Sequence, residues 1–355
     1  MFFEYFYQTT LRGLSFAAHF LPSACSSGDL SSGMDTPEKQ VRITRSIPGK
    51  LEVPDACVQV LGDQFPSFEA LKPFVSGAHA LITMYTDRVD DELLDAAGDQ
   101  LQIVNNFAVG TDNIDLEACK SRGVQVCNTP DAVTEGTANI AFLLMLACSR
   151  RLIQADRYAR SDDYPRHGQL GMSDFMGMDL CNKRLLIVGA GRIGYATALR
   201  ARSLGMDIAY VARGRHLDFE MAPLGATRLE LEKGLREADV VSIHTPLTPQ
   251  TRHLINTARL GMMKPEAILV NTSRGAVIDE QALVESLESG HLWGVGLDVY
   301  EQEPTVHPGL VACDRAVLTP HIGSAEERWR REMTAMVSRN ISAVFGRRVP
   351  PNLVS

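Results

Sequence analysis

Short apolar runs rich in Val, Ile and Leu recur along the chain and alternate with longer stretches of helical period, a pattern that predicts α/β architecture with parallel sheets covered by helices. The first runs are Val41-Arg42-Ile43-Thr44, Cys57 to Leu61, Ala78 to Met84, Leu101 to Phe107 and Val124 to Cys127, and they predict a small first sheet. Residues 138–151 form an almost wholly apolar stretch with Asn139 as its main polar interruption. It is too uniformly apolar for a surface helix and is expected to pack between domains or subunits. Residues 162–177 are polar and irregular and predict a loop or arm. Further strands are expected at Leu185, Ile208, Val240, Ala267 and Val295, with a sixth ending at Leu318. Residues 1–40 differ from all of this: aromatic residues crowd the start, a modest apolar stretch follows, then Ser-Gly-rich sequence. That stretch is too short to span a bilayer and lacks the basic flank of a leader, so a disordered or artefactual extension is expected, with the fold starting near Val41.

The run Arg184-Leu185-Leu186-Ile187-Val188 ends in Gly189-Ala190-Gly191-Arg192-Ile193-Gly194, which opens a helical stretch. Strand, Gly-x-Gly-x-x-Gly turn and helix in that order predict a dinucleotide site. Gly189 makes the turn, Gly191 admits the pyrophosphate and Gly194 lets the helix lie close on the strand; Arg192 and Ile193 begin that helix. An NAD site would carry Asp or Glu at the end of the next strand, to bind the ribose hydroxyls. This strand ends instead in Ala212-Arg213-Gly214-Arg215. Two guanidinium groups and no acid suit a 2′-phosphate, so NADP is the preferred cofactor and NAD the alternative.

With 355 residues the chain has room for two domains, and a net charge of −8 argues against nucleic-acid or anionic-membrane partners. The seven cysteines are scattered and never spaced as Cys-x-x-Cys, which predicts a reducing, cytoplasmic setting and no metal site.

In parallel sheets ligands sit beyond the carboxyl ends of the strands, and four further turns there are informative. They are His244-Thr245-Pro246-Leu247, Asn271-Thr272-Ser273-Arg274-Gly275, Asp298-Val299-Tyr300-Glu301-Gln302-Glu303-Pro304 and Thr319-Pro320-His321-Ile322-Gly323. With the glycine turn and with Asn106-Phe107-Ala108-Val109-Gly110-Thr111-Asp112-Asn113-Ile114-Asp115, the last three of these turns resemble the D-isomer-specific 2-hydroxyacid dehydrogenases. The resemblance covers roughly residues 41–350 and is strongest to glyoxylate and hydroxypyruvate reductases. It implies two Rossmann-like or flavodoxin-like domains with the active site in the cleft between them. Residues 41–135 plus 325–355 would bind substrate, the last helix returning to the first domain, and residues 136–324 would bind the dinucleotide.

The chemistry expected is reduction of a small 2-keto acid to the D-2-hydroxy acid by hydride from NADPH. Arg274 can clamp the substrate carboxylate bidentately, and the backbone N–H groups of Ala108, Val109 and Gly110 offer a second anchor, before a helix that Asp112 or Asp115 could cap. His321 is the expected proton donor, with Glu303 as the acid beside it; Glu301 ranks lower because the family glutamate immediately precedes the proline. His244, Thr245, Pro246, Thr272, Ser273 and Gly323 are expected along the nucleotide wall, with Asp298 at the nicotinamide carboxamide. The remaining histidines considered, at 79, 216, 253 and 291, read as structural.

The arm carries Tyr164, Pro165, Arg166 and His167 where the family usually has tryptophans, which leaves the identity of the keto acid open. Glu303 stands where formate dehydrogenases have glutamine, and Val109 where phosphonate dehydrogenases have lysine. A homodimer built on the apolar helix and arm is expected. Two alternatives remain: an NAD-dependent dehydrogenase of another 2-hydroxy acid, and a dinucleotide-sensing scaffold like the carboxyl-terminal binding protein corepressors.

Overall fold

A computed structural model describes residues 38–355. The extension expected over residues 1–40 lies outside the described residues as far as residue 37. Its end is corrected, because Lys39 and Gln40 already belong to the first strand. Five parallel strands form one sheet: β1 Lys39–Ile43, β2 Ala56–Val60, β3 Ala80–Thr83, β4 Ile103–Asn106 and β5 Gln125–Cys127, in the order β2-β1-β3-β4-β5. Seven form the other: β6 Arg184–Val188, β7 Asp207–Val211, β8 Thr227–Arg228, β9 Val240–Ile243, β10 Ile268–Asn271, β11 Gly294–Leu297 and β12 Ala316–Leu318, in the order β12-β11-β10-β9-β6-β7-β8. The two-residue β8 was not expected; it is exposed on both positions and carries no apolar pattern.

Every strand of β9, β10 and β11 is buried at all its positions, as strands covered on both faces must be. One apolar cluster on the seven-stranded sheet holds Leu186, Val241, Leu269, Leu283 and Leu297; another holds Leu185, Ile187, Tyr210, Ile268 and Val270. Leu186 alternates with Leu185 and Ile187 along β6, and Leu269 with Ile268 and Val270 along β10, so the pleat sends successive side chains into different cores.

The helix Thr134–Ser149 covers β10 and β11 with a small-residue face: Ala138, Ala141, Leu144, Met145 and Cys148 are buried, and a Cβ on Gly296 would come within 2.7 Å of the Leu144 Cβ. Its apolar uniformity is thus spent largely inside the chain. Among the described residues no single helix is long and apolar enough to cross a membrane. The arm is irregular except for one short helix, Asp163–His167, which carries Tyr164 to His167.

The last helix, Glu327–Phe345, returns to the five-stranded sheet, where Met333, Val337, Ile341 and Val344 pack with Val41, Ile82, Ile103 and Cys127. Asn340, buried on this helix, donates to Asn105 Oδ1 at 2.8 Å and accepts from the Asn352 N–H at 3.2 Å. The sheet is therefore completed by residues more than two hundred positions downstream of its own strands.

Candidate active site

β6 lies between β7 and β9, so the chain leaves it first to one side and then to the other, and the crevice beyond its carboxyl end is where such sheets bind ligands. Gly189 sits there with φ of 108°, and a Cβ on it would lie 2.7 Å from the His244 carbonyl oxygen. Gly194 is pressed on the turn, its missing Cβ 2.5 Å from the Gly189 oxygen, whereas nothing lies within 4 Å of a Cβ on Gly191. Two glycines close the turn, and the third leaves room in front of it. The helix Arg192–Ser203 starts at Gly191 without a side-chain cap, so its first N–H groups face that room. The hydroxyls of Thr245 and Thr272, at the ends of β9 and β10, are buried with no partner. Orphaned polar groups of this kind around an open glycine turn fit a bound dinucleotide. Arg192 Nη1 donates to Asp131 Oδ1 at 2.8 Å, and Ile193 packs into the core of the other sheet, so this helix start also joins the two lobes.

The arginines after β7 differ from expectation. Arg215 pairs with Glu220 through Nε at 3.2 and 3.1 Å as well as through Nη2. Arg215 and the Tyr210 hydroxyl hold the Glu220 carboxyl down to about 2. Arg213 makes no ion pair among the described residues. Arg228, on the unexpected β8, donates from Nη2 to the carbonyls of Ala212 and Arg213 at 3.0 and 3.2 Å. Sequence reading missed both Glu220 and Arg228.

Asn271 shapes the next turn. Its Oδ1 accepts from the Ser273 N–H and hydroxyl at 3.0 and 2.8 Å, and its Nδ2 donates to the Arg274 carbonyl at 2.9 Å. Arg274 then reaches across to the loop after β4. Its Nε donates to both carboxylate oxygens of Asp112 at 3.1 Å, and Nη2 to Oδ1 at 2.9 Å. Of the two acids weighed as a helix cap, Asp115 takes that role, accepting from the Ala118 N–H at 2.9 Å. Along the same loop the carbonyls of Ala108, Val109 and Gly110 are tied back by Thr129, Asn128 and Asn106. No hydrogen bond among the described residues takes the N–H groups of these three, and Gly110 lies against the Arg274 guanidinium.

His321 adopts φ of 54°, a left-handed conformation costly for a residue with a Cβ. Asp298 explains why it persists. Its Oδ1 accepts from the Ile322 N–H at 2.8 Å and the Thr319 hydroxyl at 2.6 Å, and its Oδ2 from the Gly323 N–H at 2.8 Å. Expected at the nicotinamide, Asp298 is almost fully buried and braces the turn that carries the histidine. Glu303 Oε2 lies 2.8 Å from His321 Nδ1, and its Oε1 accepts from the Tyr300 N–H at 3.1 Å. A carboxylate can only accept, so Nδ1 carries the proton in this bond, and no hydrogen bond among the described residues takes Nε2. Glu301 points elsewhere, to His253 Nε2 at 2.6 Å and Arg252 at 3.3 Å. Tyr85, at the end of β3 and absent from the sequence reading, lays its ring 4.3 Å from the His321 ring.

This arrangement of two cleft walls, an arginine and a glutamate-bound histidine agrees with comparison to known proteins. Residues 142–323 match the family model of the D-isomer specific 2-hydroxyacid dehydrogenase NAD binding domain. The chain belongs to this family. A glyoxylate reductase from Thermococcus onnurineus is 44% identical over 321 residues, 89% of this chain and 96% of that protein. A solved structure from Thermus thermophilus superposes with a TM-score of 0.83 at 42% identity, covering 89% of this chain and 100% of that one. The NADPH-dependent glyoxylate/hydroxypyruvate reductase of Sinorhizobium meliloti, in complex with NADP and malonate, superposes with a TM-score of 0.79 at 29% identity, covering 90% and 97%. As a D-2-hydroxyacid dehydrogenase, the protein is an NAD(P)-dependent oxidoreductase.

In this dehydrogenase His244 is partly buried, and burial of its imidazole pushes it down to about 3. Its Nε2 lies 2.9 Å from the Ser242 hydroxyl. A histidine neutral in the fold and protonated when unfolded below its ordinary 6.5 costs stability as pH falls through that value toward the folded one. The urea midpoint of the wild type is therefore expected to fall more steeply between pH 6.5 and about pH 4.5 than that of His244→Asn. Parallel pH dependences would show that His244 titrates normally in the folded protein.

Proposed function

We propose that the enzyme reduces a small 2-keto acid of the glyoxylate or hydroxypyruvate type to the D-2-hydroxy acid, with NADPH as the hydride donor. The observation that carries this reading is the convergence, across one cleft, of the Arg274 guanidinium, the N–H nest of Ala108 to Gly110 and the Glu303-bound His321. Arg274 and the nest hold the substrate carboxylate, which fixes the ketone carbon next to the dinucleotide crevice. The bound cofactor supplies a hydride to that carbon and is oxidised in doing so. As the carbonyl oxygen gains charge, His321 gives it the Nε2 proton, while Glu303 keeps the ring oriented through Nδ1. Thr245 and Thr272, with their unpartnered hydroxyls, suit hydrogen bonds to the dinucleotide.

The glyoxylate reductase relatives support the substrate class, and the Sinorhizobium meliloti enzyme with NADP supports the cofactor. On this chain the choice of NADPH rests on Arg213, with which no acid among the described residues pairs, and on Ala212, whose side chain offers the 2′ position no acceptor. Arg215 contributes less, because Glu220 already holds it. A homodimer fits the surface: Leu143, Leu152, Tyr164, Leu170, Met172 and Met176 are exposed on the apolar helix and the arm that follows.

Three outcomes follow. His321→Ala is expected to lower kcat for glyoxylate by ~10²–10⁴-fold with NADPH binding intact, and Glu303→Gln to lower it on the order of tenfold or more while Glu301→Gln leaves it near wild type. If Glu301→Gln is the damaging variant, the acids have been assigned the wrong way round. A protein that binds dinucleotide but turns over no 2-keto acid would be a scaffold. For the cofactor, Arg213→Ala should lower kcat/KM with NADPH by roughly 10- to 100-fold, the loss of one charge-assisted contact, and leave NADH little changed; an equal loss with both excludes a 2′-phosphate role. For assembly, sedimentation at micromolar concentration should read a dimer, and a monomer would remove the arm's proposed role.

A further inference from the structure

The Arg274–Asp112 pair joins the two sheets across the cleft, 162 positions apart in sequence, and does so in a particular geometry. Asp112 takes the side edge of the guanidinium, through Nε and one N–H of Nη2. One N–H of Nη1 goes to the Ser273 carbonyl at 2.9 Å. Each terminal nitrogen therefore keeps one N–H, and these two are what a carboxylate needs for a bidentate bond. The pair leaves no room for a side chain at position 110: a Cβ on Gly110 would lie 1.9 Å from Nη2 and 2.7 Å from Asp112 Oδ1. The loop holding Asp112 is itself pinned. Asn106 Nδ2 donates to the Gly110 carbonyl at 2.7 Å, and Asn113 Nδ2 to the carbonyls of Met84 and Asp87 at 3.1 and 2.8 Å.

We infer that Asp112 is a positioning residue for the reaction: it locks the side edge of Arg274 so that the guanidinium tip, and no other part of it, meets the substrate carboxylate. The inference rests on the proposed 2-keto acid reduction. The opposite role, a carboxylate competing with substrate for Arg274, is disfavoured because Asp112 leaves the tip open and its loop is anchored on both sides. The pair also neutralises itself, so the incoming anion is recognised by the direction of N–H groups more than by net charge.

The test compares Asp112→Ala and Asp112→Asn in glyoxylate reduction, and also measures the affinity of the NADPH complex for oxamate, an unreactive 2-keto acid analogue, from nicotinamide fluorescence. Asp112→Ala is expected to raise KM for glyoxylate about tenfold and lower kcat, with oxamate weakened in parallel and KM for NADPH within about twofold of wild type, since misplacing a binding group by an ångström costs up to ~10²-fold. Asp112→Asn, which can still accept one N–H, should recover part of the loss. In an Arg274→Lys background the Asp112→Ala change should add little, because the edge it locks is gone. Tighter oxamate and a lower KM in Asp112→Ala would overturn the inference in favour of competition. A fall in kcat with KM and oxamate affinity unmoved would reduce Asp112 to a structural contact. Absence of any turnover by the wild type alongside normal oxamate binding would refute the proposed reaction and leave the binding result to judge Asp112.

Discussion

Backbone must meet backbone at Gly275, and the rest of the site depends on that contact. A Cβ at this position would lie 1.9 Å from the Tyr300 carbonyl carbon and 2.4 Å from the Glu301 nitrogen, both of them main-chain atoms that cannot swing aside. Any other residue would push the turn after β10 away from the turn after β11. The first carries Arg274 and the second Glu303, so the separation between these two side chains is set by the absence of one methyl group. From there the constraint passes along the sheet. Glu303 holds the His321 ring at 2.8 Å, and Asp298, from the same β11 turn, holds the backbone on which His321 stands. The strain of its left-handed conformation is offset by carboxylate bonds to two successive N–H groups, each stronger than a neutral hydrogen bond.

Neither sheet makes the site alone. The seven-stranded sheet supplies the histidine, both its carboxylates and the arginine, but Tyr85 against the His321 ring and Asp112 against Arg274 come from the five-stranded one. That second sheet is in turn closed by the helix Glu327–Phe345, which begins only a few residues after His321. The chain thus leaves the turn that carries His321 and immediately becomes the covering of the opposite wall, which couples the position of His321 to the packing of Met333, Val337 and Ile341. The ion pair of Arg192 with Asp131 is a further link between the lobes, but both side chains are well exposed, and such pairs contribute little on their own.

What sequence could reveal follows from the range over which each signal acts. Eleven of the strands announce themselves as local apolar runs, and β8 does not, because two exposed residues have no period to detect. The glycine turn, Arg274, Glu303 and His321 lie in short motifs whose residue types are tied to their chemistry, so they could be named in advance. Partners were harder. Asp112 and Asp115 are equally good cap residues on paper, and only the three-dimensional path shows that one caps a helix while the other crosses to Arg274. Glu220 was invisible for the same reason: five residues beyond Arg215 it looks like a surface acid, yet it claims the guanidinium that composition alone would assign to phosphate. The bonds of Asp298 to Thr319, Ile322 and Gly323 depend on the neighbouring strand, so no local pattern around Asp298 encodes them.

Arg274 and His321 each stand beside a carboxylate, and this bears on how a protein of net charge −8 can take up an anion. Arg274 is matched by Asp112, and His321, when protonated, by Glu303. A bare guanidinium and imidazolium would attract small anions without regard to shape, whereas a neutralised pair attracts them weakly and must select by donor direction. The groups left to do so are the Arg274 tip and the N–H groups of Ala108, Val109 and Gly110, all fixed before substrate arrives. The tip is held by Asp112 and the Ser273 carbonyl, and the nest by the tying back of its carbonyls. Donors set in place in advance lose no orientation entropy when an anion binds, so on the proposed reading little attraction is needed to hold a carboxylate between Arg274 and this loop.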